Sequence, residues 1–210
     1  MKPIKLLFVL AVLFIPSIAG AQYYGGGGGG YYQQNGGGGV PGGFHDRTGR
    51  LAWGIGIGLG GMHDNGSTIQ CDNCATSAAL EVDGHIGGML SPRFALLFEA
   101  QSNLRTIHSD AYNGDTVLSN NAGMIAGQFW LTPQLWIKGG VGLANLQVND
   151  QGYASYTSGT GGAIMGAVGF ELASLRFFAV DLQGRIIEAN YGGDIGSVTA
   201  ANVGIGFNWY

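Results

Sequence analysis

The sequence predicts an all-β fold, an eight-stranded antiparallel up-and-down transmembrane β-barrel with short turns at one end and longer loops at the other. Three observations carry the prediction. From residue 50 onward, apolar residues alternate with polar or small ones at period two, the signature of strands with two different faces. The alternating stretches number eight and run to roughly ten residues each, the length a tilted strand needs to cross a bilayer. Composition agrees: 46% hydrophobic residues, 10% charged and 41 glycines in 210 positions are too apolar for disorder and too glycine-rich for an ordinary enzyme.

Residues 1–21 read as a secretory signal peptide. Lys2 and Lys5 precede an apolar run from Leu6 to Ile15, and the small residues Ala19 and Ala21 place the cut before Gln22. No Cys follows the run, so no lipid attachment is expected there. Removing Lys2 and Lys5 leaves 7 basic against 13 acidic side chains, a net charge of −6, which argues against a nucleic-acid partner. Downstream, no run of about 18 apolar residues offers a membrane helix, so contact with a membrane falls to strands. Residues 22–49 form a Gly/Tyr-rich tail with Tyr23, Tyr24, Tyr31 and Tyr32. So many glycines cost more entropy to order than the segment can recover by burial, and the tail reads as a flexible spacer. The barrel domain is then 50–210.

The first strand is LAWGIGIGLGGM, with Leu51, Trp53, Ile55, Ile57 and Leu59 on one face and Gly54, Gly56, Gly58 and Gly60 on the other. The second, about 77–90, sets Leu80, Val82, Ile86 and Leu90 against Glu81, Asp83, His85 and Met89. A tight Ser-Pro-Arg turn leads to the third, about 93–105, with Leu96 and Phe98 opposing Glu99, Gln101, Asn103 and Arg105. The fourth and fifth, about 118–131 and 135–147, are joined by Thr-Pro-Gln. Centring that hairpin on Pro133 pairs Phe129 with Ile137, Leu131 with Leu135 and Gln128 with Lys138, like with like. The sixth and seventh, about 161–172 and 176–189, put Ile164, Val168, Phe170, Phe178, Val180, Leu182 and Ile186 on one face and Met165, Glu171, Asp181, Gln183 and Arg185 on the other. The last, TAANVGIGFNWY, directs Ala201, Val203, Ile205, Phe207 and Trp209 outward. Loops are expected near 63–76, 106–117, 148–160 and 190–198.

Which face looks outward decides between a soluble and a membrane barrel. One face carries Glu81, Asp83, His85, Glu99, Gln101, Gln128, Lys138, Asp181, Gln183 and Arg185, and the other is almost uniformly apolar. Apolar outside and polar inside favours the membrane. Trp53, Phe94, Phe129, Trp136, Phe170, Phe178 and Trp209 gather at the short-turn ends as an interfacial girdle would. With its signal peptide, eight alternating segments, turn and loop asymmetry and terminal NVGIGFNWY, the chain resembles the small eight-stranded outer-membrane barrels of the OmpA and OmpX type. The resemblance spans residues 50–210 and implies the outer membrane of a Gram-negative-type bacterium, periplasmic N- and C-termini and surface-exposed long loops. It also implies recognition of the C-terminal strand by the barrel-assembly machinery, although here the outward series stops at Trp209 and Tyr210 lies one residue beyond.

The chemistry on offer is sparse. Gly56, Gly58 and Gly61 match GxGxxG, but a polar loop follows instead of a helix, so no phosphate cradle is expected. Cys71 and Cys74, the two cysteines of an exported chain, read as a loop disulfide; a metal site there would need His63, Asp64 or Asp72 as further ligands. No cofactor is expected. A hairpin around Pro92 brings His85 to Glu99 and Asp83 to Gln101, with Lys138 and Arg185 as cationic partners, so the interior reads as a salt-bridged plug. The expectation is a non-enzymatic outer-membrane barrel, in contact with membrane lipid, that serves envelope integrity or surface adhesion through an unknown surface ligand. A narrow pore for small solutes or ions is the alternative, and a lipid-acting enzyme, which needs a Ser, His and carboxylate set within reach of lipid, ranks third.

Overall fold

Alternation of this kind gives a two-faced strand whose edges must be paired, and the chain satisfies all of them by closing on itself. In the computed structural model, residues 47–64, 75–76, 78–109, 114–150, 156–175, 177–193 and 196–210 are described. They belong to one unit, His45–Tyr210. The eight barrel strands are β1 (Leu51–Asp64), β2 (Ala79–Ser91), β3 (Phe94–Ser109), β4 (Gly114–Trp130), β5 (Leu135–Asp150), β6 (Tyr156–Ser174), β7 (Phe178–Gly192) and β8 (Gly196–Trp209). A two-residue strand, Ala75–Thr76, adds to the end of β3 opposite His108 and Ile107. Each strand pairs antiparallel with its chain neighbours, and β1 pairs with β8 from Trp53↔Trp209 to Asp64↔Val198, which closes the barrel.

The registers fix its geometry. Stepping from Trp53 through its partners Ile86, Phe98, Ile125, Val141, Ile164, Glu188 and Thr199 returns to β1 at His63, ten residues above the start. Eight strands with that stagger tilt by roughly 40° from the barrel axis and leave an interior that side chains alone can fill. The hairpin centred on Pro133 has the register expected of it, with Gln128↔Lys138 and Phe129↔Ile137. Its turn is fastened by Leu131 N–H to Leu135 O at 2.8 Å and by Leu135 N–H to Thr132 Oγ1 at 2.9 Å.

The outward face is apolar from β1 to β8, with Leu59 and Val203 each 62% exposed. Trp53 stacks on Trp209 at 4.2 Å between ring centroids, and Phe178 packs on Trp209 at 5.0 Å. Along each strand the axial rise is about 2.5 Å per residue, and each step to the next strand climbs about 3 Å. On that scale Trp53, Phe94, Phe129, Phe170, Phe207 and Trp209 share one level. Outward polar residues cap the band at the other end: Ser102, Asn121, Asn145 and Thr160 are partners in one row, and Glu188, Thr199 and His63 in another. The apolar band between aromatics and polar rows is about 20–25 Å tall, close to that of known transmembrane barrels.

Two sequence expectations need correction. Trp136 is not in the outer girdle: it points inward, fully buried, because position 136 shares its face with Lys138. The strands also outrun the alternation signal. β3 and β4 stay paired to Ser109↔Gly114, through much of the expected 106–117 loop. Beyond the apolar band either face can be polar, so backbone pairing continues after the sequence pattern has faded. β7 and β8 likewise stay paired to Gly192↔Gly196, within the expected 190–198 loop, and Gly192, Gly193 and Gly196 take φ of 69°, 54° and 68°, open to glycine at no steric cost.

Candidate functional site: a polar cluster inside the barrel

The interior is built from the second face of the same strands. Gly54, Gly56 and Gly58 of β1 face the barrel axis, and their missing side chains are occupied by neighbours. A Cβ on Gly54 would lie 2.6 Å from Asn208 Oδ1, one on Gly58 2.8 Å from Glu81 Oε2, and one on Gly56 would overlap the Asp83 carboxylate. The glycines of LAWGIGIGLGGM thus make room for the long polar side chains of β2, β7 and β8.

Arg185 of β7 stands at the centre of these side chains. Its Nε lies 3.0 Å from Glu81 Oε1 and its Nη2 2.9 Å from Asp83 Oδ1, and its Nη1 binds Glu99 Oε1. Lys138 Nζ takes the other Glu99 oxygen at 3.0 Å. Gln183 Nε2 donates to Asp83 Oδ2 at 3.3 Å, and Gln101 Oε1 accepts from Arg185 at 3.4 Å. His85 faces Glu99 across the β2–β3 ladder, but its Nδ1 has no hydrogen-bond partner, and its ring fills the space beside Gly54. Gln128 lies buried opposite Lys138. Such pairing matters because removing any one charge would leave its partners uncompensated in a confined, low-dielectric space.

Asp181 belongs to a second, lower layer. It accepts from Trp136 Nε1 at 3.0 Å and from Asn208 Nδ2 at 2.8 Å. Beside it, Glu171 takes both Nη atoms of Arg47, at 3.0 and 3.1 Å, and Trp130 Nε1 at 2.8 Å. Arg47 also donates to Ser174 Oγ at 3.0 Å, and its guanidinium lies 3.9 Å from the ring centroid of Tyr210. Burial, reinforced by the nearby Glu171 carboxylate, holds the Tyr210 hydroxyl well above the usual phenol range, so the ring meets Arg47 as a neutral aromatic. Arg47 is not legible in the sequence, because it precedes the alternating region and no period reports a side chain that turns back into a barrel mouth; Trp130 is legible, since it shares the inward face of β4 with Gln128. The inward turn of Tyr210 explains why the outward series ends at Trp209.

The opposite end of the interior is apolar. Ile107, Leu118, Leu146 and Val198 are buried on the inward face of the strand extensions. Below them Asn202 Nδ2 donates to Asn103 Oδ1 at 2.8 Å, and Tyr191 donates to Asn120 Oδ1 at 2.7 Å. The inward faces of β4–β6 are mostly apolar as well, with Met124, Ala144 and Met165 buried. The interior is therefore a polar cluster on the β1–β3, β7 and β8 side, set between an apolar cap and an aromatic floor. Cys71, Cys74 and the signal peptide lie outside the described residues, as do most of the tail and the tips of the longer loops.

The architecture is similar to that of solved small outer-membrane barrels. The attachment invasion locus protein Ail of Yersinia pestis superposes with a TM-score of 0.52 at 12% identity, covering 77% of this chain and 99% of that one. Neisserial surface protein A gives 0.54 at 11%, covering 76% and 96%. Ail in complex with the heparin analogue sucrose octasulfate gives 0.50 at 11%, over 77% and 99%. No protein-family model and no curated protein matches the chain. The fold is thus an all-β, eight-stranded antiparallel barrel, similar to those of small outer-membrane proteins.

Proposed function

We propose that the chain is a non-enzymatic integral outer-membrane barrel with a plugged interior, acting at the cell surface in envelope integrity or adhesion. One observation carries the reading: an apolar band of membrane height surrounds an interior that is closed by Ile107, Leu118, Leu146 and Val198 at one end and by Arg47, Trp130 and Tyr210 at the other. A wall of that kind is stable in lipid, and a filled interior passes nothing. The chain enters and leaves the barrel on the periplasmic side, with the short turns. The C-terminal strand is the segment read by the barrel-assembly machinery, and the barrel end opposite the short turns is the one offered to a surface ligand. Ail, titled the attachment invasion locus protein and solved with a heparin analogue, has a similar architecture, and that likeness supports the surface reading.

The decisive experiment is gel mobility of detergent-extracted protein before and after boiling. A closed barrel migrates differently in the two states; an unchanged band together with recovery in the soluble fraction overturns the membrane reading. Labelling Cys71 and Cys74 from outside intact cells after reduction tests the topology and the disulfide together. The narrow pore is the second reading, favoured by the line of buried charges from Lys138 to Glu81, and steady conductance in planar bilayers would replace the plug with it.

A further inference from the structure

On the outward face, cross-strand partners Gly84, Ala100 and Gly123 of β2, β3 and β4 lie side by side and leave a trench of about 620 Å³ that ends at Leu143 of β5. Its two walls differ. On the aromatic-belt side stands the apolar row Ile86, Phe98, Ile125 and Val141, and on the other side Val82, Ser102, Asn121 and Asn145. Nothing inside the protein requires these glycines. A Cβ on Gly84 would come no closer than 3.7 Å to any atom, and one on Gly123 no closer than 3.8 Å, both ordinary contacts. This is the reverse of Gly56, whose Cβ would overlap Asp83. Glycine weakens a strand where no neighbour claims the space, so these positions leave room for something outside the chain.

We infer that the trench is a binding site for one acyl lipid of the surrounding leaflet, its chain along the Gly84–Ala100–Gly123 floor and its acyl carbonyl on Asn121. The inference rests on the membrane placement proposed above. Polarity selects the occupant: the floor lies within the apolar band, and the polar wall lies where that band ends, so an amphiphile with a chain and an adjoining polar linkage matches both. Asn121 Oδ1 accepts from Ser102 Oγ at 2.7 Å and from Ser119 Oγ at 3.1 Å. That leaves the Asn121 amide hydrogens as donors toward the trench, and a lipid ester or amide carbonyl is an acceptor. Among the described residues no cation lines the trench, so recognition is of chain and carbonyl and not of a phosphate.

The test uses the full-length folded protein in nanodiscs with chain-spin-labelled phosphatidylethanolamine. Wild type should hold one motionally restricted lipid beyond the ordinary boundary population. Gly123→Phe, which fills the floor, should weaken its retention about tenfold, the effect of losing contact with roughly two methylene groups. Asn121→Leu should also weaken it. Gly61→Phe, at an outward glycine with nothing within 4 Å and away from the trench, should leave it unchanged. Equal retention in wild type and Gly123→Phe overturns the site, provided both keep the heat-dependent gel shift. Loss of that shift in wild type overturns the membrane reading instead. Crosslinked wild-type dimers that Gly123→Phe abolishes would assign the trench to a second copy of the chain and overturn the lipid.

Discussion

Gly56 and Asp83 are cross-strand partners, and the Asp83 carboxylate occupies the space where a side chain on residue 56 would begin. Asp83 can turn there toward Arg185 because β1 withholds a Cβ at that position. Gly56→Val should therefore displace Asp83 from Arg185 and destabilise the barrel by about 1–3 kcal/mol, the range for overpacking a filled interior. Gly61→Val, on the outward face, should be near neutral. Urea unfolding in lipid vesicles, comparing the two midpoints, checks this.

Arg185 is the charge on which the cluster depends. Arg185→Met leaves Glu81, Asp83 and Glu99 without their shared cation and should cost about 3–5 kcal/mol. Adding Glu81→Gln and Asp83→Asn to it should recover much of the loss, because the uncompensated charges are what is expensive. Unchanged stability in the single variant would mean that the interior is wet enough to solvate the carboxylates.

Arg47 fastens the last residue of the chain. Arg47→Ala removes the bidentate contact with Glu171 and the stacking on Tyr210, and should cost about 2–4 kcal/mol. Arg47→Lys keeps the charge but loses the planar fork and should recover only part of it. Trp130 bonds the same carboxylate, so its fluorescence should report the opening of this end.

Planar-bilayer recordings address the plug directly. Wild type should show no steady conductance, since the apolar cap and the aromatic floor both block the axis. Arg47→Ala alone should not open a path, because Leu118 and Leu146 still close the other end.

Trp136 lies on the inward face that strand period gives it with Lys138, and not in the girdle that its aromatic ring suggests. Trp136→Phe keeps the ring volume and removes the indole donor to Asp181, and should destabilise by about 1–2 kcal/mol. Were Trp136 a lipid-facing girdle residue, the same change would be close to neutral. Denaturant midpoints in vesicles of fixed composition decide between the two.

The sequence by itself determined the strand count, the faces of each strand and the near-neighbour registers. Alternation at period two is a local property, and a hairpin as short as Thr-Pro-Gln sets its own register, so Gln128↔Lys138 and His85↔Glu99 could be read in advance. It also indicated that the β1 glycines face long polar side chains, because a narrow barrel of charged strands requires small ones. What only the tertiary structure decided is everything that depends on closure. The ten-residue stagger sets which distant strands meet, and so brings Arg185 to Glu81, Asp83 and Glu99 and Lys138 to Glu99. It also sets which outward residues align into a trench, and it leaves a mouth into which Arg47 and Tyr210 can turn. Those contacts join residues as far apart in the chain as Arg47 and Tyr210, and no periodic pattern along a chain encodes a distance around a barrel.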